Sequence, residues 1–321
     1  MKNIKDDRKA LVPNNEESIR PIFNFSVRHA YFFILTHIKT FVPIMRYLKV
    51  VICDFFLLQF SVKWGLRKIE VVNVDHKLDC EVPFVPSLAP VYLDFVNFWI
   101  RPLSFIIQRL KNHSAEHVAR FITTLTNTYI RATEFYTFKM TTTYRPTDAD
   151  YKDKNFTMIR RFDPHYLCVP SLHISVVVLT FAFYKDLFEK ESSFFSEEEK
   201  KAYNAELYYS AVQIAETVLY IKQHSVNCIP AALYMMNDIL GDLFTPDDAE
   251  KFIDALFFDK PDISTEGKKQ INEHVHFLFE RFFLEKAFES SWINPMKRWL
   301  LNYKPSLKTP VFRDHLDISL S

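Results

Sequence analysis

Three glycines in 321 residues, Gly65, Gly241 and Gly267, limit what this chain can build more than any other feature. Average usage of about 7% would supply roughly twenty. Tight β-hairpins and glycine-rich phosphate loops need backbone at positive φ, which glycine adopts without a steric clash. A chain this poor in glycine can make few of either. It also lacks any Gly-x-Gly-x-x-Gly or Walker-type run, so nucleotide binding by those devices is excluded. With 48% hydrophobic and 16% aromatic residues the material for a large core is present, and an all-α helical bundle follows.

Charge narrows the function classes. The formal net charge is +1, so nothing marks a nucleic-acid partner. The four cysteines, Cys53, Cys80, Cys168 and Cys228, are far apart and show no C-x-x-C spacing, which argues against a zinc site or a disulfide framework. His113 and His117 stand at i, i+4, but no third metal ligand accompanies them. Neither a metal nor a cofactor is expected.

Residues 1–20 are polar and charged and read as a disordered tail without the apolar core of a secretion signal. Residues 21–77 alternate apolar clusters with basic residues, the pattern of amphipathic helices that lie on a membrane surface. A spanning helix needs about twenty mostly apolar residues. Charges interrupt 31–60 and 90–108, and the charge-free run 174–184 is short. None of these windows is a convincing span by itself; the surface-lying pattern of 21–77 is what suggests membrane association, with integral and peripheral modes both open. Residues 78–240 form the main helical unit, with 141–170 as a long loop. The Thr245-Pro246-Asp247-Asp248 start signal opens a C-terminal helical appendage over 241–321. Within it, the histidines of Glu273-His274-Val275-His276 point to different sides of a helix and read as an accident of an exposed face.

Three short segments carry chemistry. Pro170-Ser171-Leu172-His173 precedes an apolar run, so Ser171 is a predicted N-cap and His173 falls in the first helical turn. A helix N-terminus offers unpaired N–H groups and partial positive charge to an anion. Lys222-Gln223-His224 falls at the end of a second predicted helix, 197–223. Lys139 and Arg145 precede both, and an arginine can grip two phosphate oxygens at once. Taken singly, each reads as a cap, a polar break or a solvated loop.

In their order along residues 78–240 they resemble the type 2 phosphatidic acid phosphatase/haloperoxidase superfamily. The branch with Pro-Ser-Leu-His, which includes inositol phosphorylceramide synthase-like transferases, is the most similar. The resemblance implies a helical bundle acting on a lipid phosphate or diphosphate without a metal. It implies that His224 attacks phosphorus and forms a phosphohistidine while His173 protonates the leaving oxygen. Lys139, Arg145, Ser171 and Lys222 would hold the phosphate. The family places an Asp four residues after its nucleophilic His. Here that position is Cys228, and Asn227 precedes it, so these two are the candidates for orienting His224 through an i, i+3 or i, i+4 contact. Thr217-Val218 stands where the family has a Ser-Arg or Ser-Thr pair. Two readings follow: a membrane-associated phosphatase or phosphotransferase, or a catalytically inactive descendant serving as a helical membrane or scaffold protein.

Overall fold

The computed structural model describes residues 19–147 and 151–306. The tail expected over 1–20 and the end of the chain after 306 fall almost wholly outside the described residues. The fold is all-α, as the scarcity of glycine requires. Gly65 and Gly241 both sit at positive φ, 71° and 54°, where helices end.

Arg28–Thr36 (α1) turns at His37 into a long rod. The rod is Ile38–Lys49 (α2), a π-helical segment Val50–Phe56, and Leu57–Lys63 (α3). Ala89–Leu93 (α4) and Phe95–Leu110 (α5) lead to Ser114–Tyr136 (α6), which packs along α2. Leu172–Lys190 (α8) is the hub, touching α5, α6, Glu197–Tyr220 (α9) and Cys228–Leu240 (α10). Every side chain from Ile174 to Tyr184 is buried. The charge-free run seen in the sequence is thus a central core helix, apolar all round because it is surrounded.

Helix starts follow their caps. Ser196 Oγ accepts the Glu199 N–H at 3.2 Å and the Glu199 carboxylate accepts the Ser196 N–H at 3.0 Å, a reciprocal box before three acids in the first turn of α9. Thr245 and Asp248 repeat the device at Pro246–Ala255 (α11). Each such cap is worth about 1 kcal/mol.

The C-terminal helices are not an appendage. Thr265–Lys286 (α12) packs against α10, and Ile271, Val275 and Phe279 join the same core as α8. Asn294–Asn302 (α13) closes on α12. The apolar positions of α12 were legible in the sequence. That they share one core with α10 is a tertiary fact. His274 also departs from expectation: it stacks on His76 with ring centroids 4.1 Å apart and bonds Asn227 Oδ1 at 2.9 Å.

The stretch 141–170 is more structured than a loop. Met140–Thr142 (β2) pairs in parallel with Val71–Asn73 (β1), Val71 opposite Met140. Lys154–Phe162 (α7) begins where the Asp153 carboxylate accepts the Asn155 N–H at 2.7 Å. A three-residue strand and a nine-residue helix leave too short a period to stand out from flanking polar sequence.

Candidate functional site

Two irregular segments meet at the N-terminus of α8. The first, 163–171, is fastened to β2. The Thr141 N–H donates to the Tyr166 carbonyl at 2.9 Å, and the Cys168 N–H donates to the Thr141 carbonyl at 3.2 Å. Thr141 Oγ1 accepts from the Val169 N–H at 2.7 Å, and the Tyr136 hydroxyl donates to the Pro170 carbonyl at 2.6 Å. Four buried hydrogen bonds at about 1 kcal/mol each hold a loop that has no helix of its own.

The second segment, 221–227, is the turn between α9 and α10. The N–H groups of Gln223 and His224 both reach the Val218 carbonyl, at 2.9 and 3.2 Å. The Asp79 carboxylate accepts the Val226 N–H at 2.8 Å. His224 therefore stands on a turn and not on a helix. This corrects the expected orienting role of Asn227 and Cys228, which required helical spacing. Asn227 Nδ2 instead donates to the Val74 carbonyl at 3.0 Å and the Tyr303 hydroxyl at 2.9 Å. Cys228 is buried as the first residue of α10, with its N–H on the Ser225 carbonyl at 2.9 Å.

The orienting group is the Cys168 carbonyl, 3.2 Å from His224 Nδ1. A carbonyl only accepts, so Nδ1 carries the proton and Nε2 presents a lone pair. Nε2 lies 3.4 Å from Ser171 Oγ and 3.4 Å from His173 Nδ1. Both contacts are longer than an ordinary hydrogen bond. Ser171 is the N-cap of α8, with Oγ accepting the Ile174 N–H at 3.4 Å. His173 is stacked on Tyr92, centroids 4.5 Å apart, and lies 4.6 Å from the Phe95 ring. Burial lowers His173 to about 4. Burial, reinforced by His173 and His165, holds His224 well below the usual histidine range. Both imidazoles are neutral at pH 7.

The expected phosphate cations are arranged differently. Lys139 Nζ is 2.5 Å from Glu70 Oε2, beside the β1–β2 pair. Lys222 is buried, and its ammonium donates to the Asp79 carbonyl at 2.7 Å and to the Val82 carbonyl. Burial lowers Lys222 to about 8. Neither lysine meets the histidines. Arg145 comes nearer: it donates to the Asp163 carbonyl at 2.9 Å and lies 3.8 Å from the Asp163 carboxylate and 3.5 Å from Gln223 Oε1.

Sequence reasoning missed His165 as a site residue. It sits at φ 67°, a conformation that costs a non-glycine residue roughly 1–2 kcal/mol, and its ring is buried. Its Nε2 is 2.9 Å from Thr143 Oγ1, and its Nδ1 is 3.7 Å from the Asp163 carboxylate. Burial opposes its charge, but neighbouring Cys168 and Asp163 outweigh burial and raise it to about 9. Asp163 is also pushed up by burial, yet His165 and Arg145 hold it down at about 2. The site thus carries an imidazolium and a guanidinium around one carboxylate. The signal available in sequence was Asp163-Pro164-His165, two ionisable groups flanking a proline just ahead of the cap.

Asp163 and the three histidines reach one end of a cleft of ≈ 290 Å³, whose lining includes neither Arg145 nor Ser171. His165, Cys168, His173 and His224 line that end, while Phe55, Phe56, Tyr129, Ile159 and Phe162 make the walls apolar. The cleft is thus polar at one end and apolar along its walls. No group of three or more His, Cys, Asp or Glu is placed to hold a metal among the described residues. His117 pairs with Glu191 at 2.8 Å. Comparison with known protein families, with curated proteins and with solved structures finds no match for this chain.

Proposed function

We propose that the protein is a membrane-associated phosphatase or phosphotransferase acting on a lipid phosphate or diphosphate through His224. The observation that carries this reading is the convergence of three groups. Nδ1 of His173 and Ser171 Oγ each lie 3.4 Å from the unprotonated Nε2 of His224, and both imidazoles line the polar end of an apolar cleft. The order of these residues along the chain, which resembles the type 2 phosphatidic acid phosphatase/haloperoxidase superfamily, supports it independently.

Phosphoryl transfer asks mainly for positioning and charge stabilisation. Nε2 of His224 attacks phosphorus, the P–O bond to the leaving alcohol breaks, and that oxygen takes a proton from His173. Water, or an acceptor alcohol, then attacks the phosphohistidine and returns a proton to His173. His165, Arg145 and the α8 N-terminus hold the phosphoryl oxygens. A bound anion restores the proton that an empty site denies His173, because a nearby negative charge favours the imidazolium.

Phosphate release from phosphatidic acid and from prenyl diphosphates tests the reading. His224→Ala lowers turnover by at least about 10³-fold, and His173→Ala by roughly 10²–10⁴-fold. Equal rates in wild type and both variants sink it.

The second reading, a catalytically inactive helical descendant, is favoured by the engagement of Lys139 and Lys222 elsewhere and by a neutral carbonyl in the role of a carboxylate. Native phosphate release that depends on His224 rejects it.

A further inference from the structure

Twelve of the twenty-one large hydrophobic side chains exposed among the described residues lie between Tyr31 and Leu66, on α1–α3. They are ordered. Ile38, Val42, Met45, Ile52 and Phe56 recur every three, four or seven residues and so share one face of the rod. Ile38 is 86% and Val42 71% exposed. The opposite face, with Thr40, Ile44 and Tyr47, is buried, and α2 packs there against α6. Between residues 28 and 70 there are seven Lys and Arg against two acids, Asp54 and Glu70. A soluble monomer rarely leaves so much apolar surface together.

The face continues across the cleft mouth. Phe56 on the rod, and Met158 and Phe162 on α7, are each exposed and each line the cleft. Arg161, beside Phe162, is exposed as well. The lips of the cleft are therefore apolar on both sides, with a cation, Arg161, beside Phe162.

We infer that this face docks on an anionic phospholipid surface, with α1–α3 lying in the interface and the cleft mouth against the bilayer. Charge selects the occupant. A second copy of the chain would bring the same excess of cations, whereas an anionic leaflet complements it, at about 1 kcal/mol per basic residue near the surface. No helix among the described residues is long and apolar enough to cross a membrane, so the contact is of the interfacial kind. A lipid chain then passes from leaflet to cleft between Phe56 and Phe162. The docking deepens the membrane association proposed above but does not depend on the proposed chemistry; only this last step does.

Co-sedimentation of the full chain with vesicles tests the inference, comparing phosphatidylcholine alone with phosphatidylcholine containing phosphatidylserine. Binding to the anionic vesicles at least tenfold tighter, and weakened by salt, is expected. Val42→Asp with Met45→Asp reduces that binding at least tenfold. Both side chains are exposed, so helicity by circular dichroism stays unchanged. His224→Ala, which abolishes turnover on the proposed mechanism, leaves binding intact and so separates the two claims. Equal binding to both vesicle types, no binding, or unaltered binding by the double variant overturns the inference. A wild-type dimer that the double variant dissociates overturns it too, because the face then belongs to a second copy.

Discussion

The polar end of the cleft and the surroundings of β1 use their basic residues in opposite ways. At the cleft end, His173 and His224 are left neutral by burial, and among the described residues Nε2 of His224 is met only by two 3.4 Å contacts, from Ser171 and His173. Around β1 and the turn at Asp79, Lys139 and Lys222 are consumed by Glu70 and by two backbone carbonyls. Lys222 and His224 are two residues apart on one turn, yet one fastens that turn and the other faces the cleft. Adjacency in sequence to a reactive group is no guide to which side of a turn a side chain takes.

The contrast can be sharpened by measurement, beginning with pH. Because free His173, lowered to about 4, is neutral above about pH 5, and burial keeps His224 unprotonated as well, the proton for the leaving oxygen must arrive with the substrate. A phosphate monoester has its second pKa near 6. For such a substrate kcat/KM is level from about pH 5 to 6 and then falls tenfold per unit, roughly 100-fold by pH 8. A bell centred at or above pH 7 would mean that His173 is protonated in the free protein.

Next, the cation that meets the cleft is separated from one that does not. His165→Asn, chosen because asparagine tolerates the left-handed backbone, removes a charge that helps hold phosphate. It raises KM about ten- to a hundredfold, the equivalent of a charged hydrogen bond of 1.5–3 kcal/mol. Lys222→Met leaves the buried Val82 carbonyl and the part-buried Asp79 carbonyl without their donor. It costs about 1–3 kcal/mol in urea unfolding with KM unchanged. A KM effect at Lys222 with full stability would return that lysine to the phosphate.

The smallest effect is predicted at Cys228. Cys228→Asp does not raise turnover, since His224 Nδ1 already donates to the Cys168 carbonyl. A large gain would show that the turn rearranges to let position 228 reach the imidazole.

Much of this was legible in the sequence, for definable reasons. Glycine scarcity and the caps at Ser171 and Thr245 are local, so the all-α class and these helix starts could be read directly. The pairing of Ser171, His173 and His224 rested on chain order, and the three do lie together. What failed was every inference that assumed a continuous helix past position 220. α9 ends at Tyr220 because Lys222, at φ 56°, reverses the chain. No glycine marks that reversal, so the usual stop signal was missing. His165 was overlooked for the same reason: it occupies a left-handed position without being glycine. The Cys168 carbonyl is invisible to any reading of side chains.

The central claim is that Nε2 of His224 becomes covalently bonded to phosphorus. Rapid quenching under alkaline conditions during turnover of phosphatidic acid, followed by mass spectrometry of the peptide carrying His224, tests it directly. The account predicts added mass of one phosphoryl group on His224, lost on acid treatment and accumulating in His173→Ala when the leaving group needs no proton. Turnover with no phosphoryl group on that peptide, or with it on another residue, would contradict the account.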